Sequence, residues 1–236
     1  MFYHNPVHHV KHHFIRTEQT RICHRSSTED SFQLQSAGEQ VDRTGRISFH
    51  GPTALNECLE GYRYLLENAE RLRIDTSRMM IGGDSAGGLL AMDTYLSLEV
   101  SEMPIGLMLI YPVVDDAQTT PSMKIFDDTP AWNAVNNAKM WDWYLDGQEY
   151  SSPLERHEEF DVKHLFVEVE EFDCLHDEGV MIFEALSPSC DHSVLLDNKG
   201  TFHGYDINFK ADITQASLQE RIRFLSESFS NRHSPT

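Results

Sequence analysis

The pentapeptide Gly83-Asp84-Ser85-Ala86-Gly87 constrains this chain more than any other feature. It follows a short apolar run, residues 78–83 (RMMIGG), that predicts a strand, and it precedes residues 86–100, which predict a helix. A G-x-S-x-G in that context fits a nucleophile elbow. The chain reverses so sharply there that side chains two positions either side of the serine would clash. Gly83 and Gly87 remove the clash, and Gly88 admits close packing of the helix. Ser85 is then expected at the helix N-terminus, where free N–H groups and the helix dipole favour a developing oxyanion. The Ala86 N–H is the expected donor. The competing reading is a glycine-rich strand-to-helix turn with an incidental serine, since a lone G-x-S-x-G often arises by chance; the strand–turn–helix context favours the elbow.

The rest of the chain repeats this alternation. Ala54, Leu55, Cys58, Leu59, Tyr62 and Leu65 recur at three- and four-residue intervals, predicting an amphipathic helix that ends near Arg73. Further strands are expected at 106–111, 164–170 and 193–196, and further helices at 136–145, 176–186 and 213–229. Such an order predicts an α/β fold, a mostly parallel sheet flanked by helices. The first 50 residues lack any sustained periodicity, so no strand or helix is expected there. The chain is expected to divide into an atypical, poorly ordered segment 1–51, the α/β part 52–230, and a tail 231–236.

Charge follows the same division. The formal net charge is −19, yet residues 1–51 carry six Lys/Arg against five Asp/Glu, so the acidity belongs to the remainder. A surface this acidic excludes nucleic acid, whose phosphates need basic partners. No apolar run approaches the ~18 residues of a membrane span. The four cysteines (Cys23, Cys58, Cys174, Cys190) form no CxxC pair, which suits reduced thiols and a cytoplasmic location. His8/His12 and His9/His13 have a chelating i,i+4 spacing, but no nearby carboxylate or thiolate completes a site. No metal site is therefore expected.

A nucleophilic serine needs a base, and the base needs an orienting acid. On a parallel sheet these should follow in the order serine, acid, histidine, each in a loop after a later strand. Asp173 lies just past the strand 164–170, and His203 lies in the last strand-to-helix loop, in the run TFHGY. His176 and His192 are rivals by proximity, but one opens a helix and the other immediately precedes a strand. Asp177 and Glu178 read as acids complementing a helix start, and Asp115 and Asp116 as organisers of the loop after their strand. Trp132, Trp141 and Trp143 read as packing residues rather than site residues.

The segments RMMIGGDSAGG, LIYPVVDD, VEVEEFDCLHDEG and TFHGYD, in this order and spacing, resemble the hormone-sensitive-lipase branch of the α/β-hydrolases. The resemblance covers residues 52–230. It implies a serine carboxylesterase or lipase for short- to medium-chain esters, acting without a cofactor through an acyl-enzyme. On these residues it implies Ser85 as nucleophile, His203 as base and then acid, and Asp173 as its partner.

One departure accompanies the match. That branch carries a His-Gly-Gly-Gly run upstream of the elbow, and its N–H groups supply most of the oxyanion hole. Here the only upstream His-Gly is His50-Gly51, at the entry to the pre-elbow helix. The branch's upstream sheet strands are expected to be missing or replaced, and turnover to be impaired. Residues 1–50 would then be an out-of-frame or mispredicted translation. The alternative is a non-catalytic binding protein of the same fold. Neither the natural ester nor the oligomeric state is legible in the sequence.

Overall fold

A single central sheet organises the molecule, and its topology fixes where any site can lie. The computed structural model describes residues 14–16, 21–22 and 51–230. Strands β1 (Phe14–Arg16) and β2 (Arg21–Ile22) precede helices α1 (Gly51–Glu67) and α2 (Ala69–Leu72). Then come β3 (Met80–Asp84), α3 (Ala86–Leu96), β4 (Gly106–Ile110), α4 (Pro121–Ile125) and α5 (Ala134–Leu145). The chain continues through β5 (His164–Glu170), α6 (His176–Leu186), β6 (His192–Asn198) and α7 (Asp212–Ser230).

The sheet order is β2-β1-β3-β4-β5-β6. Strands β3 to β6 run parallel, with Ile81 opposite Leu107, Leu107 opposite Leu165, and Leu165 opposite Ser193. Every residue of β3, β4 and β5 is buried. That is the behaviour of a parallel sheet covered on both faces. One face packs Leu65 of α1, Met92 and Tyr95 of α3, and Ile182 of α6 over Leu107 and Leu165. The other packs Phe224 and Phe229 of α7 over Met80, Met108 and Phe166.

Two local differences from the sequence reading have identifiable causes. The helix expected to run unbroken to Arg73 turns at Asn68, whose Nδ2 donates to the Tyr64 carbonyl at 2.9 Å and competes with the helical ladder. Helix α4, absent from the sequence reading, is a single short turn with Pro121 at its start and Thr120 Oγ1 accepting from Met123 N. Five residues are too few to show a period.

The first 51 residues also hold strands, contrary to expectation. β1 pairs in parallel with β3, Phe14 opposite Met80 and Arg16 opposite Gly82, and β2 pairs antiparallel with β1. Strands of three and two residues carry no alternation that a sequence pattern can reveal. The histidine pairs at 8/12 and 9/13, Cys23 and the tail 231–236 lie outside the described residues. Among the described residues, no helix is long and apolar enough to cross a membrane.

Because β3 to β6 are parallel, their C-terminal ends lie along one rim of the sheet. In open α/β sheets that rim is where ligands bind. Ser85 follows β3, Asp173 follows β5 and His203 follows β6.

Candidate active site

Ser85 stands between β3 and α3 with φ 58° and ψ −125°. A non-glycine residue in that region costs about 1–3 kcal/mol and persists only when its surroundings impose it. Here three backbone hydrogen bonds do so. Ser85 N donates to the Ile110 carbonyl at 2.9 Å, and its own carbonyl accepts from Gly88 N at 2.9 Å and Val113 N at 3.1 Å. The turn is thus clamped by the end of β4 and the loop beyond it. Gly83 and Asp84 close β3, and Gly87 lies buried in the first turn of α3. Ala86 opens α3 and is exposed. Its N–H is one of the first four that a helix cannot use internally.

The three residues picked out by chain order meet in space. Ser85 Oγ lies 2.8 Å from His203 Nε2, and His203 Nδ1 lies 2.7 Å from Asp173 Oδ2. The separations in sequence are 118 and 30 residues. Asp173 is fully buried, and its other carboxylate oxygen accepts from Leu175 N at 3.0 Å. The acid is therefore fixed on both oxygens. The rival histidines are engaged elsewhere, His176 with Asp177 at 2.8 Å and His192 with Glu227 at 3.4 Å.

His203 itself is buried between two aromatic rings. The Tyr111 ring centroid lies 4.7 Å away and that of Trp132 6.0 Å away. Trp132 thus lies beside the site, contrary to its reading as a packing residue, while Trp141 is buried in the core and Trp143 is exposed. Tyr111 also has a positive φ of 36°, and its hydroxyl donates to Asp206 Oδ1 at 2.9 Å. Burial raises the Tyr111 phenol well above its ordinary pKa, so it remains a donor. Its position directly after β4 was the one sequence signal that could have drawn attention to it.

The acids that follow Asp173 do more than complement a helix start. Asp177 Oδ2 accepts from Ser122 N at 2.8 Å, Glu178 Oε2 accepts from Asp115 N at 3.2 Å, and Ser122 Oγ donates to the Cys174 carbonyl at 2.8 Å. These bonds tie the loop after β4 to the segment carrying Asp173. Glu178 is fully buried, and burial pushes its carboxyl well above the usual range. Cys174 is a buried free thiol beside Asp173, and burial raises its pKa so that it stays protonated. Glycine is favoured after His203, since Gly204 has φ +73°.

A family model described as the alpha/beta hydrolase fold matches residues 48–207. The chain is 30% identical over 165 residues to an ethyl acetate hydrolase of Pseudomonas putida, covering 62% of this chain and 49% of that protein. It is 29% identical over 177 residues to the carboxylesterase NlhH of Mycobacterium tuberculosis, covering 70% of this chain and 55% of that protein. Among solved structures, the esterase LipW from Mycobacterium marinum superposes with TM-score 0.71 at 26% identity, covering 78% of this chain and 60% of that one. A bacterial heroin esterase gives TM-score 0.67 at 29% identity, covering 77% and 61%. The chain spans about half the length of the curated relatives it matches.

Proposed function

The chain belongs to the α/β-hydrolase fold family, and from that premise we propose that it is a serine carboxylesterase, with Ser85, His203 and Asp173 as its triad. The observation that carries the proposal is the continuous relay from Ser85 Oγ to His203 at 2.8 Å and from His203 to Asp173 at 2.7 Å. Residues 52–230 serve as the C-terminal part of the catalytic domain.

In this reading Ser85 Oγ attacks the ester carbonyl carbon while His203 Nε2 takes its proton. Asp173 holds Nδ1–H and steadies the imidazolium that results. The carbonyl oxygen becomes an oxyanion beside the Ala86 N–H and the start of α3. Collapse of the tetrahedral adduct breaks the bond to the alkoxide, which His203 protonates. Water, deprotonated by the same nitrogen, then attacks the acyl-Ser85 carbonyl, and His203 returns that proton to Ser85 Oγ as the acid leaves. Each step uses groups already on the rim, so no cofactor is needed.

Short- and medium-chain acyl esters are the proposed substrates, a reading supported by the relative named for ethyl acetate. The HGGG run is absent from the sequence, so the Ala86 N–H carries more of the oxyanion's stabilisation. Loss of one such donor typically costs ~10²–10³ in turnover. Slow hydrolysis is therefore expected. The test is release of p-nitrophenol from the acetate and butyrate esters, with Ser85→Ala as control. We expect the control to lose ~10³-fold or more of the activity. Equal rates for the two proteins would exclude the serine mechanism.

A further inference from the structure

The loop carrying His203 is fastened to two carboxyl groups that the triad does not use. Glu168 and Glu170 alternate onto the same face of β5, the face of Phe166 that packs on α7, and both are fully buried. Glu168 is well compensated. Arg221 donates Nε to its Oε2 at 2.7 Å and Nη2 to its Oε1 at 2.6 Å, and Tyr205 OH donates to Oε1 at 2.8 Å. The remaining Arg221 nitrogen is spent on Asp206 at 3.1 Å.

Glu170 has a different environment. Its hydrogen-bond partners are Asn198 Nδ2, a long 3.4 Å from Oε1, and the Thr201 hydroxyl at Oε2. That hydroxyl also lies 2.9 Å from the Asn198 carbonyl oxygen. A hydroxyl owns one proton, and a carbonyl oxygen cannot donate. Short of sharing that one proton in a weaker three-centre bond, Thr201 makes both contacts as full hydrogen bonds when Glu170 carries a proton and donates it to Thr201.

We propose that Glu170 is held as a neutral carboxylic acid in the working protein and is a positioning residue, whose O–H fixes Thr201 and so the loop that aims His203 at Ser85. The geometry around the histidine supports this. Thr201 lies two residues before His203 and is tied to Glu170, while Tyr205 lies two residues after and is tied to Glu168. The anchors share a short segment with Asp173, so one stretch of backbone sets both ends of the His203–Asp173 bond. The role rests on the triad reading.

The groups facing Glu170 favour its neutral form. Glu168 on its own strand and Asp173 beyond it are acids, Asn198 of β6 and Thr201 of the loop are neutral, and Arg221 of α7 is paired with Glu168 and Asp206. Burial, reinforced by Glu168 and Asp173, outweighs the hydrogen bonds from Thr201 and Asn198, which favour the anion, and pushes the Glu170 carboxyl up to about 9. Ionisation would bring a second buried negative charge beside Glu168 and remove the donated hydrogen bond to Thr201.

Glu170→Gln supplies a donor that cannot titrate, and Glu170→Ala supplies none. With p-nitrophenyl butyrate, the wild-type kcat is expected to fall as Glu170 ionises near pH 9, and Glu170→Gln to move that alkaline limb upward. Glu170→Ala is expected to lower kcat by ~10–10²-fold with little change in KM. Should Glu170→Ala fail to fold, Thr201→Val, which removes the other partner, carries the same expectation.

A second readout does not depend on hydrolysis. The melting temperature of the wild type should fall relative to Glu170→Gln as pH rises from 4.5 to about 9. Parallel melting profiles would overturn the protonated state. Superimposed pH–kcat profiles, or unaltered kcat in the folded Ala or Val variant, would overturn the positioning role. If the wild type and Ser85→Ala hydrolyse equally, the triad reading fails, while the melting comparison still decides whether Glu170 holds its proton.

Discussion

Gly88 carries no side chain because Pro112 occupies the space one would need. A Cβ at residue 88 would lie 2.6 Å from Pro112 Cβ and 3.0 Å from Pro112 Cα, and a proline ring has little freedom to yield. The same residue donates its N–H to the Ser85 carbonyl. Gly88→Ala should therefore destabilise the protein by about 1–3 kcal/mol and displace the serine. Urea unfolding measures the first effect, and a lowered kcat in the folded fraction measures the second. At this scale much of the site was legible. The G-x-S-x-G turn singled out Ser85, and chain order with loop placement singled out Asp173 and His203, because each follows a strand of a parallel sheet. Glu170 was not legible, since Val-Glu alternation ordinarily marks a strand with one wet face. Nor was Trp132, whose place depends on the path of an irregular loop.

Helices α3 and α5 are joined through a buried acid. Asp93 of α3 accepts from Tyr150 OH at 3.0 Å and from Tyr144 OH of α5 at 3.3 Å. Burial outweighs these bonds and lifts its carboxyl from 3.8 to about 6. The folded state thus holds the proton more tightly than the unfolded one. The resulting stabilisation is fully present below pH 3.8 and is lost as pH rises to about 6. Asp93→Asn should remove this slope, so its melting temperature should gain on the wild type between pH 4 and 6, by scanning calorimetry. Elements were legible where burial imposed a period. The bounds expected for β5 and α6 coincide with those observed, because every β5 residue is buried and α6 carries a regular apolar stripe. β1 and β2 were invisible because sheet pairing, rather than pattern, creates them.

Over the whole molecule the formal net charge of −19 sets a preference that no single contact does. A negative field repels anionic ligands on approach, and the effect fades as salt shortens its range. For the proposed esterase, an ester bearing a free carboxylate should show kcat/KM about tenfold below that of a neutral ester with the same acyl chain at low salt. Rates measured from ~0.01 to ~0.15 M salt should narrow that gap, as the screening length contracts from ~30 to ~8 Å. A gap insensitive to salt would locate the discrimination in contacts at the rim instead.

The reach of Arg221 from the last helix also orders events in time. A chain made from its N-terminus presents Ser85 well before His203 and before the arginine that anchors Glu168 and Asp206. Until His203 is made the proposed nucleophile has no base, and on the triad reading the nascent protein would not act on an ester. Any ribosome that stops short of Arg221 releases a polypeptide that contains Ser85 but leaves Glu168 and Asp206 without their arginine. For the proposed esterase, hydrolysis would then depend on synthesis having passed Arg221.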